Sequence, residues 1–258
     1  MSTLKEIYEY RTMIGSLVRR ELRGKYEKSV LGFLWAFLGP MFQILIYGVV
    51  FTVVFHNNMP NYYIFLMTGL LPWTFFSDSL GQGTGAIVYN SEMVKKIYFP
   101  REVLVIGEVT AKLVNMLLSF IVMAAFLIIS GIGFSVQIVL LPVAVLIEYL
   151  IALGLALLAA ATTVYLRDLE YVVQVLLMAW CWGTPIMYTA DNIQNPLYLF
   201  LLRANPLTGA IGMYQSIFYF HSWPNIRSML YPLCFGMMIT IIGFIVFGHL
   251  KKRFAEEL

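Results

Sequence analysis

Six times between residues 33 and 249 the sequence stays apolar for close to the length a helix needs to cross a bilayer, about 20 residues. The runs are Phe33–Phe55, Tyr62–Leu80, Val109–Ser130, Ile138–Tyr165, Tyr171–Tyr188 and Met229–His249. In lipid, every backbone N–H and C=O must find its partner inside the protein, which confines such runs to helices. The bulk figures agree: 60% of residues are hydrophobic and 12% charged, against about 25% charged in soluble domains. The expectation is an all-α integral membrane protein with six transmembrane helices.

Charge orients them, because Lys and Arg accumulate in cytoplasmic connections. Lys5, Arg11, Arg19, Arg20, Arg23, Lys25 and Lys28 precede the first run. Lys95, Lys96, Arg101 and Lys112 follow the second, Arg167 the fourth, and Lys251, Lys252 and Arg253 the sixth. These segments alternate so as to share one side, which then holds fifteen of the seventeen cations, leaving Arg203 and Arg227 opposite. Both termini are therefore expected in the cytoplasm. The first 32 residues carry seven Lys/Arg and four Glu and no apolar core of the signal-peptide kind, so insertion is expected to begin at the first spanning helix.

Two segments are not expected to span. Ser2–Lys28 sets Ile7, Tyr10, Ile14, Leu17, Val18 and Leu22 at helical spacing among arginines. That pattern suits an amphipathic helix on the cytoplasmic membrane surface, with a solvated basic arm as the alternative. Asp191–Pro224 is rich in Tyr, Phe and Trp but broken by Pro196 and by Asn205-Pro206. Its runs are too short to cross, so a pair of short re-entrant or interfacial helices is expected on the outer side. With no repeat and no linker, residues 1–258 read as one transmembrane domain: an interface helix over 1–32, a membrane region over 33–249 and a cytoplasmic tail over 250–258.

Catalytic and nucleotide motifs are missing. There is no GxxxxGK[ST], HExxH or GxSxG, and His56, His221 and His249 stand apart. The GQGTG at 81–85 follows a spanning run instead of a strand and reads as a flexible bend. Cys181 and Cys234 fall in apolar runs and read as buried thiols. No catalytic residue, cofactor site, metal site or nucleic-acid partner is expected in the chain.

Inside the runs, Glu148 stands near the middle of the fourth, where a carboxylate suggests either proton coupling or a neutral group bonded to a neighbouring helix. Asp78 and Lys112 lie close enough to the cytoplasmic ends to snorkel. Ala152, Ala156 and Ala160 recur every fourth residue and let helix backbones approach, within the subunit in preference to across a dimer seam. Pro40, Pro142, Pro185 and Pro232 should kink or end helices. Deep aromatics at Phe37, Phe42, Tyr47, Phe51, Trp180 and Trp182 either face lipid or line a channel that offers sugar rings flat stacking surfaces.

Met93–Arg101, MVKKIYFPR, packs three cations, two aromatics and a proline into nine residues between apolar runs. Such a segment can seat an aromatic anchor in a partner while its charges fix the register, or it can merely touch headgroups. Here the sequence resembles a family. NSEMVKKIYFPREVL at 90–104, LLPWTFFSDSL at 70–80 and RRELRGKYEKSVLGFLWAFLGP at 19–40 are similar to type-2 permease subunits of ATP-binding-cassette exporters. YLRDLEYVVQVLL at 165–177, TPIMY at 184–188 and ANPLTGAIGMYQSIFY at 204–219 extend the likeness in order along nearly the whole chain. The nearest likeness is to exporters of lipid-linked polysaccharide: O-antigen, wall teichoic acid and capsule.

The resemblance implies a homodimer in a bacterial cytoplasmic membrane, paired with two copies of a separate ATPase subunit that binds ATP and magnesium. It implies that Lys95, Lys96, Tyr98, Phe99 and Arg101 form the segment coupled to that ATPase, with Arg167 and Asp168 as a second contact. Asp191–Pro224 would help close the exit, with Tyr198, Tyr214 and Phe218 as outer gate candidates. Arg19, Arg20, Arg23 and Lys25 are candidates to meet the lipid carrier's diphosphate, and equally suit anionic membrane lipids. A permease for drugs or small hydrophobic molecules is the alternative. An integral membrane enzyme acting on lipid carriers is a third reading, for which only Arg167-Asp168 with Glu170 comes near a polar cluster.

Overall fold

The computed structural model describes residues 2–24, 35–54, 59–189, 193 and 195–258, and among these no strand occurs. An amino-terminal arm of α1 (Ser2–Glu9) and α2 (Arg11–Gly24) leads to α3 (Trp35–Val49), whose carboxyl-terminal end continues as a π-helix over Val50–Val54. Then come α4 (Tyr62–Tyr89), α5 (Ser91–Lys96), α6 (Glu102–Ile129) and α7 (Leu141–Thr163), the last entered by a 3-10 turn at Val136–Leu140. The chain closes with α8 (Leu169–Trp182), α9 (Pro196–Ala204), α10 (Pro206–Phe218), α11 (Ile226–Leu250) and α12 (Phe254–Glu257).

The segments Glu102–Ile129, Val136–Thr163 and Ile226–Arg253 are long and apolar enough to cross a membrane, and Leu38–Val53 and α8 are shorter apolar helices. The chain is thus an all-helical integral membrane protein. Phe33 and Phe55, the bounds expected for the first run, lie outside the described residues.

Two runs differ from the sequence expectation. The second does not stop at Leu80: α4 continues through the GQGTG segment to Tyr89, so the expected bend is a helix. A Cβ at Gly83 would lie 2.9 Å from the Cβ of Ala156. Glycine there lets α4 and α7 touch backbone to side chain, and this packing offsets its weak helix propensity. The fifth run is shorter than expected. At 14 residues α8 reaches about 21 Å, less than the roughly 30 Å hydrocarbon core. Pro185 has no N–H and disfavours helical geometry at Thr184, so helix ends at Gly183 and residues 183–188 run on without it.

The core centres on α7. Ala152, Ala156 and Ala160 are fully buried, which assigns the small-residue spacing to packing within the chain. On another face, a Cβ at Gly154 would meet the backbone of Ile239 at 2.6 Å, and one at Gly243 would meet the Gly154 carbonyl at 2.7 Å. The backbones of α7 and α11 therefore lie in direct contact. Cys181 is half-buried and Cys234 is exposed on α11, so Cys234 is not the buried thiol its apolar run suggests.

The expected apolar face of the arm is the one covered: Ile7, Tyr10, Ile14, Leu17, Val18 and Leu22 are half-buried while Arg19, Arg20 and Arg23 are exposed. A turn at Tyr10 splits the arm into two helices, and α2 packs on α6, where Leu17 lies 3.1 Å from the Cβ position of Gly107.

Connections gather at two ends. At one end, Arg20 donates to the side chain of Asn90 at 2.9 Å, Tyr165 Oη to the Leu250 carbonyl at 2.8 Å, and Arg101 to the Lys251 carbonyl. At the other, Tyr219 Oη donates to the Pro60 carbonyl at 2.7 Å, Ser135 to Ile217 and Gln137 to His221. The four basic segments thus share one end.

Candidate functional site

The basic end carries the residues expected to dock a partner, and the structure divides them. Lys95 and Lys96 are exposed on α5, and Lys96 pairs with Glu92 one turn back at 2.5 Å. Tyr98 is 96% exposed, whereas Phe99 is 6% exposed and belongs to the hydrophobic core. Phe99 is therefore corrected from surface anchor to interior anchor: it holds the loop down while Tyr98 projects. Arg101 is half-buried, its guanidinium over the Phe254 ring at 5.8 Å, and beside it Lys251 pairs with Glu102 at 2.7 Å. Arg101 consequently ties the loop to the tail in place of standing out from it.

Arg167 and Asp168 are exposed at the start of α8, and Tyr89 at the end of α4 donates to Glu170 beside them. Between α1, the 97–101 segment and the tail opens a groove of about 500 Å³. Glu6 and Glu9 of α1, Tyr10, Tyr98 and Arg101, and Lys251 and Lys252 of the tail line it. A lining that mixes acidic and basic side chains with two phenol rings suits a protein partner better than a single-sign ligand.

Arg19, Arg20 and Arg23 are exposed on α2, and Lys25 lies outside the described residues. Lys112 does not snorkel. It is 2% exposed, with its ammonium 2.8 Å from both Glu108 and Glu21. The second partner comes from α2, 91 positions earlier in the chain, so this charge cluster pins the arm to α6. Beside it a 330 Å³ cavity is lined by Trp35, Asp78, Lys112, Asn115 and Ser119 among others.

Deeper, Tyr214 on α10 donates to Glu148 Oε2 at 2.7 Å, and both residues are fully buried. This supplies the bond to a neighbouring helix that the sequence allows for Glu148, with Tyr214 as the neighbour. Tyr214 and Phe218, the outer gate candidates on α10, are buried and rest on Phe120 at ring separations of 5.8 and 5.9 Å. The Tyr198 hydroxyl lies 2.8 Å from both Tyr188 Oη and the Trp182 carbonyl, at the end of α8.

Among the channel candidates, Phe42 and Trp182 are exposed, and Tyr47, Phe51 and Trp180 are half-buried. The side chain of Phe37 lies outside the described residues. Trp180 is occupied structurally: its indole N–H donates to Asn205 at 3.0 Å and its ring meets Phe76 edge-on. The Asn205 side chain, which the sequence does not single out, makes four hydrogen bonds at the end away from the basic segments. Its position at Asn-Pro, the N-cap site before a helix-starting proline, was the available signal.

Residues 12–219 match the protein family described as ABC-2 type transporter. The chain is 36% identical over 256 residues to a Myxococcus xanthus protein named O-antigen export system permease protein RfbA, covering 99% of this chain and 98% of that one. It is 29% identical over 243 residues to a Klebsiella pneumoniae protein of the same name, covering 94% and 93%. It is 37% identical over 79 residues to the Escherichia coli polysialic acid transport protein KpsM, covering 30% and 31%.

Proposed function

The chain belongs to the ABC-2 type transporter family, and from that premise we propose that it is the permease subunit of an ATP-driven exporter of lipid-linked polysaccharide. The observation that carries the reading is the end-to-end likeness to a protein named as an O-antigen export permease, at 36% identity over 99% of this chain. The relatives described above are named for O-antigen or polysialic acid, not for small hydrophobic cargo.

On this reading the chain crosses the cytoplasmic membrane six times, with both termini inside. The gathering toward one end of the basic segments, with thirteen cations among the described residues, supports that orientation. Two copies form the conduit, and the apolar faces that α3 and α8 leave uncovered, including Phe42, Leu45 and Ile46 on α3, are where the second copy would lie. A separate ATPase, holding ATP and magnesium, docks at the basic end. Tyr98, Lys95 and Lys96 project into it, Arg167 and Asp168 touch it at the start of α8, and the groove beside α1 receives a segment of it. Closure of the ATPase pair then displaces the loop and α8 together, because Tyr89 and Glu170 link the two connections.

α9 and α10 form the outer pair that closes the exit. Exposed Arg19, Arg20 and Arg23 would meet the carrier diphosphate or anionic headgroups as it arrives. The test is depletion in cells: lipid-linked glycan should accumulate on the cytoplasmic leaflet while its synthesis continues. Undiminished glycan at the surface of depleted cells would remove the assignment.

A further inference from the structure

Two motifs, TPIMY at 184–188 and the Asn205-Pro206 pair, have no task in the account so far, yet they meet. Helix α8 stops at Trp182, Gly183 closes its last turn onto the Ala179 carbonyl, and Thr184–Met187 are buried outside any helix. Irregular backbone at membrane depth is tolerated only when the protein satisfies its polar groups. Here side chains from several elements do so. Asn205 Nδ2 donates to the Gly183 carbonyl at 3.0 Å, Gln215 Nε2 to Pro185 at 2.8 Å and Tyr62 Oη to Met187 at 2.6 Å. The hydroxyls of Tyr188 and Tyr198 lie 2.8 Å from each other and each 2.8 Å from the Trp182 carbonyl, so one can donate to the other while the other donates to that carbonyl. A Cβ at Gly69 would lie 2.8 Å from the Ile186 carbonyl, so the segment rests directly on α4.

Asn205 is the centre of this arrangement. Its Oδ1 accepts from Leu207 N, capping α10, and from the Trp180 indole, each at 3.0 Å. Its Nδ2 donates to Gly183 and, at 2.8 Å, to Thr184 Oγ1. All four hydrogen-bonding positions of the amide are filled. The same residue ends α9 through its backbone N–H to Leu201 and Leu202. One side chain therefore joins the broken end of α8 to the hinge between α9 and α10.

Within its own subunit α8 is held lightly: only Val173 and Leu177 are buried there, while Tyr171, Val172, Val175, Leu176, Met178 and Trp182 stand on the face proposed above for the second copy. A rod with few buried contacts moves most readily as a body. Its lower end starts at Asp168 on the basic face, and its upper end is gripped at Asn205.

We infer that Asn205 is a positioning residue that transmits displacement of α8 to the outer helix pair α9–α10, so that movement begun at the basic face opens the outer end. The inference rests on the proposed export function for its direction and adds the residue that links the two ends. Serine tests it, because a serine at 205 keeps an N-cap oxygen for α10 but is too short to reach Trp180, Gly183 and Thr184 together. Trp180→Phe is the second variant, removing one donor and keeping a ring.

The experiment uses the chain reconstituted with its ATPase, with Cys181 and Cys234 replaced and spin labels at Val175 and Phe200. In the parent protein, trapping the ATPase with a nucleotide analogue should change the label separation and the accessibility of Phe200 together. In Asn205→Ser the complex should assemble and hydrolyse ATP at parental rates. Glycan exported per ATP should fall roughly tenfold, inside the 5- to 150-fold range usual for coupled sites. The change at Phe200 should disappear, and Trp180→Phe should lie between. Parental coupling and label behaviour in both variants would overturn the inference, leaving Asn205 a helix cap. Failure of both variants to assemble would overturn it too, in favour of a folding role. Should the parent move its labels with nucleotide but export no glycan, the proposed function fails while the linkage stands.

Discussion

Replacing Lys112 with methionine isolates the contact that holds the amino-terminal arm. The side chain is 2% exposed and lies 2.8 Å from two carboxylates, so Lys112→Met keeps the stem volume and leaves Glu21 and Glu108 facing each other unneutralised. Removing one partner from a fully buried ion pair costs about 3–5 kcal/mol. Here Glu108 is 19% and Glu21 33% exposed, so both can recover some water, which lowers the expected cost to about 2–3 kcal/mol. The strain is electrostatic, so adding Glu21→Gln and Glu108→Gln to Lys112→Met should recover at least half of the loss. The exposed Lys95→Met should change stability by less than about 0.5 kcal/mol. Equilibrium unfolding in mixed detergent micelles gives the energies, and trypsin cleavage after the exposed Arg19 and Arg23 reports whether the arm has come away. If Lys112→Met matches Lys95→Met in stability and in cleavage rate, the cluster does not hold the arm and the reasoning is wrong.

At the docking loop, Tyr98→Ala should leave stability within about 0.5 kcal/mol but uncouple ATP hydrolysis from export. Phe99→Ala should instead destabilise the fold by about 3–5 kcal/mol, and equal stabilities would refute the division. Gly83→Ala should cost about 1–3 kcal/mol by overpacking against Ala156, most of it recovered by adding Ala156→Gly, whereas Gly212→Ala, with nothing within 4 Å, should cost nothing; unfolding titrations decide. Reporter fusions at Ile97 and Ala255 should read cytoplasmic and one at Asn195 outer, and an outer signal at Ile97 would overturn the orientation.

Where the sequence carried a period or a charge imbalance, the fold could be read from it. The six arm residues picked out by 3.6-residue spacing are all half-buried, and the basic segments picked out by alternation come together at one end. Pairings between distant segments could not be read this way. Lys112 looks like a snorkelling cation until Glu21 arrives from α2, and Gly83 looks like a bend until Ala156 is seen against it. In the loop, Tyr98 and Phe99 are chemically alike neighbours, and only the packing beneath tells the anchor from the projection. Pro185 and Asn205 were each visible as breaks, but no local pattern says that one break stabilises the other.

Transport in vesicles tests the central claim most directly. The chain is reconstituted with and without its ATPase, lipid-linked glycan is placed in the leaflet facing the basic end, and arrival of glycan in the opposite leaflet is followed after ATP addition. The account predicts ATP-dependent arrival only when both proteins are present and no ATP hydrolysis by this chain alone. Sustained, ATP-driven or uphill movement in vesicles holding this chain without the ATPase would contradict it.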